Sequence, residues 1–221
     1  MGQALKRNIW LKGLNLANNG IGDDGLCQLA RYLKYNQTLE YLDLSGNSID
    51  DDAAISLAEL LHGNRSLTEF VARRAKISPR GAAAIFRGVR FNRSLKRIDL
   101  SDNHIENRGL FSLARVLVYN QSLVAVEISG ARAQIAAYEK ILSTIKGNHS
   151  LMHFNLRTLK IEDAGDRQMK KEIKQKLRAN RGFARVRRER RNPKMKYIHY
   201  CAMIGDKQGV EAELKADDSL K

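Results

Sequence analysis

The chain has 221 residues, 43% hydrophobic and 29% charged, and a net charge of +15. That length suits one or two domains with a buried core. There is no 18-residue apolar run to span a membrane and no legible secretory leader. Met1-Gly2 is followed by Lys6 where a myristoylation signal wants Ser or Thr. Cys27 and Cys201 lie in different segments and imply no disulfide framework. The expectation is a cytoplasmic protein in a reducing compartment, with no membrane partner.

In chain order, residues 1–10 read as the tail of an earlier unit, because Leu5 and Asn8 stand 28 residues before Leu33 and Asn36. Either a cap lies outside this sequence, or Leu5, Ile9 and Trp10 make a minimal one. Leu11 then opens a unit that recurs at Leu39, Leu67, Leu95, Leu123 and Leu151. A fixed internal period of this length is the signature of a solenoid. The second copy shows the design. Leu42 and Leu44 alternate with Tyr41, Asp43 and Ser45, the pattern of a short strand with one buried face. Asn47 falls where the chain turns away and can satisfy backbone groups there. Ala54, Leu57, Ala58 and Leu61 then form a helical stripe, and Gly63-Asn64 suits a helix end.

Two rows are predicted to be buried: Leu16, Leu44, Ala72, Leu100, Ile128 and Leu156 from the strands, and Leu29, Leu57, Ile85, Leu113 and Ile141 from the helices. One unit cannot fold alone, because its neighbours must close its faces. Five Asn-x-Ser/Thr triplets, at Asn36, Asn64, Asn92, Asn120 and Asn148, occupy one repeat position and read as structural rather than as glycosylation acceptors.

These units resemble the leucine-rich-repeat family in its long, ribonuclease-inhibitor-like subtype, whose LxxLxLxxNxI pattern stands at Leu11–Ile21, Leu39–Ile49 and Leu95–Ile105. The resemblance covers about residues 5–182. It implies an α/β solenoid: a horseshoe with a parallel β-sheet inside and helices outside. Ala75 and Ala131 replace the turn asparagine, so looser turns are expected there.

The third unit carries Arg73, Arg74, Lys76, Arg80, Arg87, Arg90, Arg93, Lys96 and Arg97 without an acid between them. Pro79 sits early in its helix, where proline is tolerated. The sixth keeps Leu151, Phe154, Leu156 and Ile161. Met169, Ile173 and Leu177 then make a narrow apolar stripe suited to a C-terminal cap, and the solenoid is expected to span 1–182. From Arg167 to Lys196 fourteen Lys/Arg face only Glu172 and Glu189, a net +12. Residues 183–195 read as a basic linker. Residues 196–221 resemble half of an ankyrin repeat through Ile198, His199, Ala202, Gly205, Val210 and Leu214, implying a short α-helical segment.

No catalytic constellation, phosphate loop or metal-ligand spacing is legible around His62, His104, His149, His153 or His199. No enzyme activity, cofactor or small-molecule substrate is expected. Strand alternation points three rows outward: Gly13, Tyr41, Glu69, Arg97, Ala125 and His153; Asn15, Asp43, Val71, Asp99, Glu127 and Asn155; and Ala17, Ser45, Arg73, Ser101, Ser129 and Arg157. The candidate partner-binding residues are Tyr41, Asp43, Glu69, Val71, Arg73, Arg97, Asp99 and Glu127. Asp43, Asp99 and Glu127 are expected to form an exposed acidic stripe that tolerates lysine. A second candidate surface, for an anionic partner, comprises Arg178, Arg181, Arg185, Arg187, Arg188, Arg190 and Arg191.

The function this suggests is a non-catalytic protein-interaction scaffold or structural subunit of a larger intracellular assembly, with a cytoskeletal or ciliary setting plausible by resemblance. RNA or an acidic protein surface bound through 167–196, nuclear import through that basic run, and regulation of a small GTPase or of actin stay open as alternatives.

Overall fold

The computed structural model describes residues 2–155 and 164–188, with side chains for 3–155 and 167–182. Two compact units divide the chain, Met1–Ile173 and Lys174–Lys221. Leu156, Arg157, Ile161, Arg190, Arg191 and the ankyrin-like segment lie outside the described residues.

In the first unit, short strands alternate with helices: β1 (Gly13–Asn15), β2 (Tyr41–Asp43), β3 (Glu69–Val71), β4 (Arg97–Asp99), β5 (Ala125–Glu127) and β6 (His153–Phe154), joined by α2 (Asp23–Leu33), α3 (Asp51–Gly63), α4 (Pro79–Val89), α5 (Asn107–Tyr119) and α6 (Ile135–Gly147). Before them lies α1 (Gly2–Arg7), and after them α7 (Ala164–Arg188). The strands form one parallel sheet in sequence order, and each residue pairs with the one 28 positions on, as Leu42 does with Phe70 and Phe70 with Ile98. Successive helices pack on one another along the other side.

The apolar rows are where the alternation put them. Leu44, Ala72, Leu100 and Ile128 are buried under the strands, and Leu29, Leu57, Ile85, Leu113 and Ile141 along the helices. Leu16, in the first unit, is half-exposed. Met169 and Ile173 of the first unit are buried, and Lys146 of α6 pairs with Glu172 of α7 at 3.1 Å; Leu177, in the second unit, is also buried. α7 runs to Arg188, so the first six residues of the expected linker are helical. Of the three residues of the expected minimal cap only Leu5 is buried; Ile9 and Trp10 are 65% and 82% exposed.

Helix starts follow local chemistry. The Asp50 side chain accepts from Ala53 N at 2.8 Å, with Asp51 and Asp52 favourably placed against the helix dipole. Ser78 caps α4 by accepting from the N–H groups of Arg80 and Gly81, each at 3.0 Å, and Pro79 occupies the first helical position, where no N–H is missed.

Helix ends depend on one asparagine per repeat. Asn92 Oδ1 accepts from the N–H groups of Ser94 and Leu95 at 2.9 and 2.7 Å, while Nδ2 donates to the carbonyls of Leu61 and Asn64 in the preceding repeat. Asn36, Asn64, Asn120 and Asn148 repeat the arrangement. All five are buried. Their amide nitrogens are engaged and inaccessible, which is the structural role expected of these triplets.

A second asparagine position serves the turn after the strand. Asn103 Oδ1 accepts from Ala75 N and Ile77 N, and its Nδ2 donates to the carbonyls of Ala72, Leu100 and Ser101. Asn47 does the same for the first repeat. Where Ala75 stands instead, its own backbone carbonyl takes over and accepts from Ile49 N at 2.9 Å. Ala75 and Ala131 are themselves buried. The alanine turn is therefore closed by backbone rather than left loose, at the cost of a second left-handed residue, Lys76 (φ +54°).

Two substitutions test this packing. Asn92→Ala removes the amide partner of the Ser94 and Leu95 N–H groups and of the Leu61 and Asn64 carbonyls, each buried group left unpaired costing roughly 1–3 kcal/mol; allowing for relaxation, urea denaturation is expected to show a loss of about 3–5 kcal/mol. Gly88 lets α4 approach the α3 backbone so closely that an added Cβ would overlap the Ala58 carbonyl. Gly88→Ala is expected to lower stability by about 1–3 kcal/mol, despite its better helix propensity.

Candidate functional site

The in-register sheet sets Tyr41, Glu69, Arg97, Ala125 and His153 in one outward row and Asn15, Asp43, Val71, Asp99 and Glu127 in the next. The central row is not a free acidic stripe. Its short acceptors fold back on the chain two residues ahead: Asn15 Oδ1 accepts from Ala17 N at 2.9 Å, Asp43 Oδ1 from Ser45 N at 2.8 Å, and Asp99 Oδ1 from Ser101 N at 3.0 Å. Val71 and Glu127 cannot do this. There the serine of the preceding repeat substitutes, with Ser45 Oγ accepting from Arg73 N at 3.0 Å and Ser101 Oγ from Ser129 N at 3.3 Å.

Two of the candidate residues are not surface groups. The Asp99 side chain has no exposure, and Val71 is only 6% exposed. Arg73, one repeat earlier and one row across, covers Asp99 by donating from Nε to Oδ2 at 2.7 Å. That hydrogen bond, followed by the Asp99 charge, holds the Arg73 guanidinium above the usual arginine range despite partial desolvation. Arg97 Nη2 lies 3.6 Å from the same oxygen, and its Nε is 3.1 Å from Glu69 Oε1, an ion pair without hydrogen-bond alignment. The reason is electrostatic: an acid desolvated beside Val71 persists only if paired. The expected tolerance of lysine at Asp99 is thereby corrected.

The remaining polar groups are reachable. Tyr41 Oη donates to Asp43 Oδ2 at 3.1 Å. Desolvation first, and then the neighbouring Asp43 carboxylate, raises the Tyr41 phenol above its ordinary range. Glu127 is mostly covered and sits 2.8 Å from Nε2 of exposed His153. Of the four carboxylates, Asp99 and Glu69 meet the two guanidiniums, Asp43 takes the Tyr41 hydroxyl and Glu127 faces His153; the open end is Tyr41–Asp43, with Glu69 beside it.

The structure brings the eight predicted concave residues together, but in two roles, support and surface. Arg73 as the lid of Asp99 was not legible in the sequence, because the pair joins different rows of adjacent repeats. A left-handed position after each of β1 to β5 (Asn18, Gly46, Arg74, Asp102, Gly130) was also missed, although its Asn, Gly and Asp are the residues that favour it.

Of the second predicted surface, Arg178 and Arg181 are exposed on α7. Arg185, Arg187 and Arg188 lie on its helical backbone without described side chains, and Arg190 and Arg191 lie beyond it. Burial lowers the Lys176 ammonium in the same helix. The basic residues of the third repeat are dispersed: Arg73 and Arg97 join the sheet network, Arg74 reaches Asp102 at 3.3 Å, and Arg80 faces Asp51 at 3.7 Å. Among the described residues, no helix is long and apolar enough to cross a membrane.

These repeats are a recognised kind. The family described as Leucine Rich repeat matches residues 7–30, 35–58 and 91–114, the three windows holding the turn asparagines Asn19, Asn47 and Asn103. The chain carries leucine-rich repeats and folds as an α/β leucine-rich-repeat solenoid. No curated protein sequence matches it. Among solved structures it is similar to the tropomodulin C-terminal domain of Caenorhabditis elegans, at 19% identity over 66% of this chain and 89% of that one, with a TM-score of 0.57. It is also similar to leiomodin-1 actin-binding site 2, at 18% identity over 86% and 94%, with a TM-score of 0.53. At these identities the likeness is one of fold.

Asp99→Lys is expected to cost about 3–5 kcal/mol, since it buries a cation against Arg73 and Arg97, whereas Asp43→Asn should stay within about 1 kcal/mol because Oδ1 still accepts from Ser45 N. Thermal unfolding of the two variants checks the contrast. The raised Tyr41 pKa favours the neutral phenol in the folded state, so its stability contribution is complete below the unfolded phenol value and is lost as pH rises through the folded one. A 295 nm titration, taken as the difference from Tyr41→Phe, should give an upshifted midpoint for Tyr41 that Asp43→Asn moves down.

Proposed function

We propose that the chain is a non-catalytic protein-interaction scaffold whose concave sheet takes a basic or mixed protein segment within a larger cytoskeletal assembly. The observation that carries this is the Tyr41–Asp43–Glu69 end of the sheet. There an aromatic ring and two carboxylates are presented on a frame already held rigid by Arg73, Asp99 and Arg97. Asymmetric charge of this kind selects and orients a partner more than it adds raw affinity. Support for the actin-linked setting comes from the leiomodin-1 structure of the same fold, described as an actin-binding site. The 28-residue spacing supports the ribonuclease-inhibitor-like subtype, and the motif at residues 196–214 supports an ankyrin-type segment, as parts of the same reading.

Co-sedimentation of the full chain with filamentous actin tests it. Pelleting is expected for the native sequence, should fall about tenfold in Tyr41→Ala/Asp43→Asn, and should persist in Lys174→Gln/Arg178→Gln/Arg181→Gln. If only the α7 variant loses binding, the concave assignment is wrong and the basic helix is the site. If the native chain does not pellet, the actin-linked setting falls.

A further inference from the structure

A second surface lies on the rim where the helices end. One repeat position there reads Tyr35, Gly63, Phe91, Tyr119 and Gly147 down the chain. The aromatics of adjacent repeats, Phe91 and Tyr119, stand side by side with ring centroids 6.4 Å apart, tilted at 48°. They are 58% and 57% exposed, and the glycines at the flanking positions leave the pair uncovered by side chains. Nothing in the core requires rings at this place.

Against both lies Arg90. Its guanidinium carbon lies 5.0 Å from the Phe91 centroid and 4.2 Å from that of Tyr119. Contact with both rings restrains the cation while leaving its N–H edges without an ion-pair partner. The Nε is enclosed yet has no hydrogen-bond acceptor. Arg73, Arg74, Arg80 and Arg97 of the same basic run face acids; among the described residues, Lys76, Arg87, Arg90, Arg93 and Lys96 form no ion pair, and of these Arg90, Arg93 and Lys96 are gathered in one place. Those last two line the same cleft of about 420 Å³, together with Phe91, Tyr119 and Gln121, and no acid contributes to its walls. The helix C-termini nearby carry only partial negative charge, roughly half a unit each, which three full cations outweigh.

We propose that this rim cleft is a docking site for a short acidic peptide segment of a partner protein. The peptide would set a carboxylate against the edges of Arg90, Arg93 and Lys96 and an adjoining apolar side chain against the outer surfaces of Phe91 and Tyr119. A guanidinium edge matches a carboxylate by paired N–H···O bonds. Nucleobase stacking fits less well, because the guanidinium already lies over a face of each ring. The site lies on repeats three and four at the helix ends, apart from the concave sheet, and is independent of what the sheet binds.

The test uses the full chain and a fluorescein-labelled octapeptide alternating aspartate with leucine and phenylalanine, read by fluorescence anisotropy. Binding is expected to weaken with added salt. Arg93→Glu/Lys96→Glu, which alters exposed residues only, should weaken it at least about tenfold, as should Arg90→Gln and Tyr119→Ala; Arg74→Gln should leave it unchanged. Thermal midpoints identify any variant that is unfolded, and the exposed Arg93/Lys96 pair keeps the test decisive if Arg90→Gln fails to fold. The proposal is overturned if the Arg93/Lys96 reversal binds normally, if an all-glutamate octapeptide binds as tightly, or if the native chain binds no peptide. It is equally overturned if a single-stranded octauridylate binds more tightly than the peptide with the same sensitivity to the variants, which would make the cleft a nucleic-acid site.

Discussion

The buried asparagine amide is the interaction on which the remaining structure depends. A repeat that runs strand, turn, helix and return must leave its helix abruptly, exposing carbonyls behind the turn and N–H groups ahead of it inside a close-packed interior. An amide offers two donors and an acceptor in one plane. Asn64 and Asn92 use both ends, accepting from their own repeat and donating to the one before. The same atoms that end a helix therefore fix the spacing between repeats. With that spacing fixed, residue n must lie beside residue n + 28, and each row of the sheet becomes a physical row.

Regular rows create an electrostatic difficulty that the sheet solves locally. Parallel in-register strands bring equivalent residues within about 4.8 Å, so acids at one repeat position crowd one another. Asp43 and Asp99 turn one oxygen to their own backbone, and the other finds Tyr41 or Arg73. The Asp99 arrangement spans repeats three and four, so it is a clasp between neighbours as well as a charge balance. What stays open to a partner is the Tyr41–Asp43 end, beside Glu69 with its Arg97 ion pair.

The rim obeys the opposite logic. Around Arg90 the cations are organised by aromatic rings rather than by acids. A guanidinium stacked on a ring keeps its hydrogen-bonding edge, whereas one paired with a carboxylate has spent it. The two surfaces thus differ in kind: the sheet presents a mostly neutralised polar frame with an acidic end, and the rim presents unneutralised charge beside exposed apolar area. A scaffold with both can discriminate between segments of opposite charge.

The sequence by itself determined whatever repeats. The 28-residue period, the buried rows through Leu44 and Leu57, the Ser78–Pro79 helix start and the helix-ending asparagines were all legible, because each follows from a residue's chemistry and its distance along the chain. The candidate concave residues were likewise placed on one face by alternation alone. Tertiary structure decided which of them remain at the surface. Asp99 is buried because Arg73 crosses from another row of another strand, and Val71 because it lies between such groups. The Ala75 turn is closed by its own carbonyl to Ile49 rather than loosened, and Arg90 is held by rings belonging to two repeats. Arg73 for Asp99, Ile49 for Ala75 and Tyr119 for Arg90 each stand roughly one repeat away and in a different row, and whether a group spans that gap depends on its reach and direction, which periodicity does not encode.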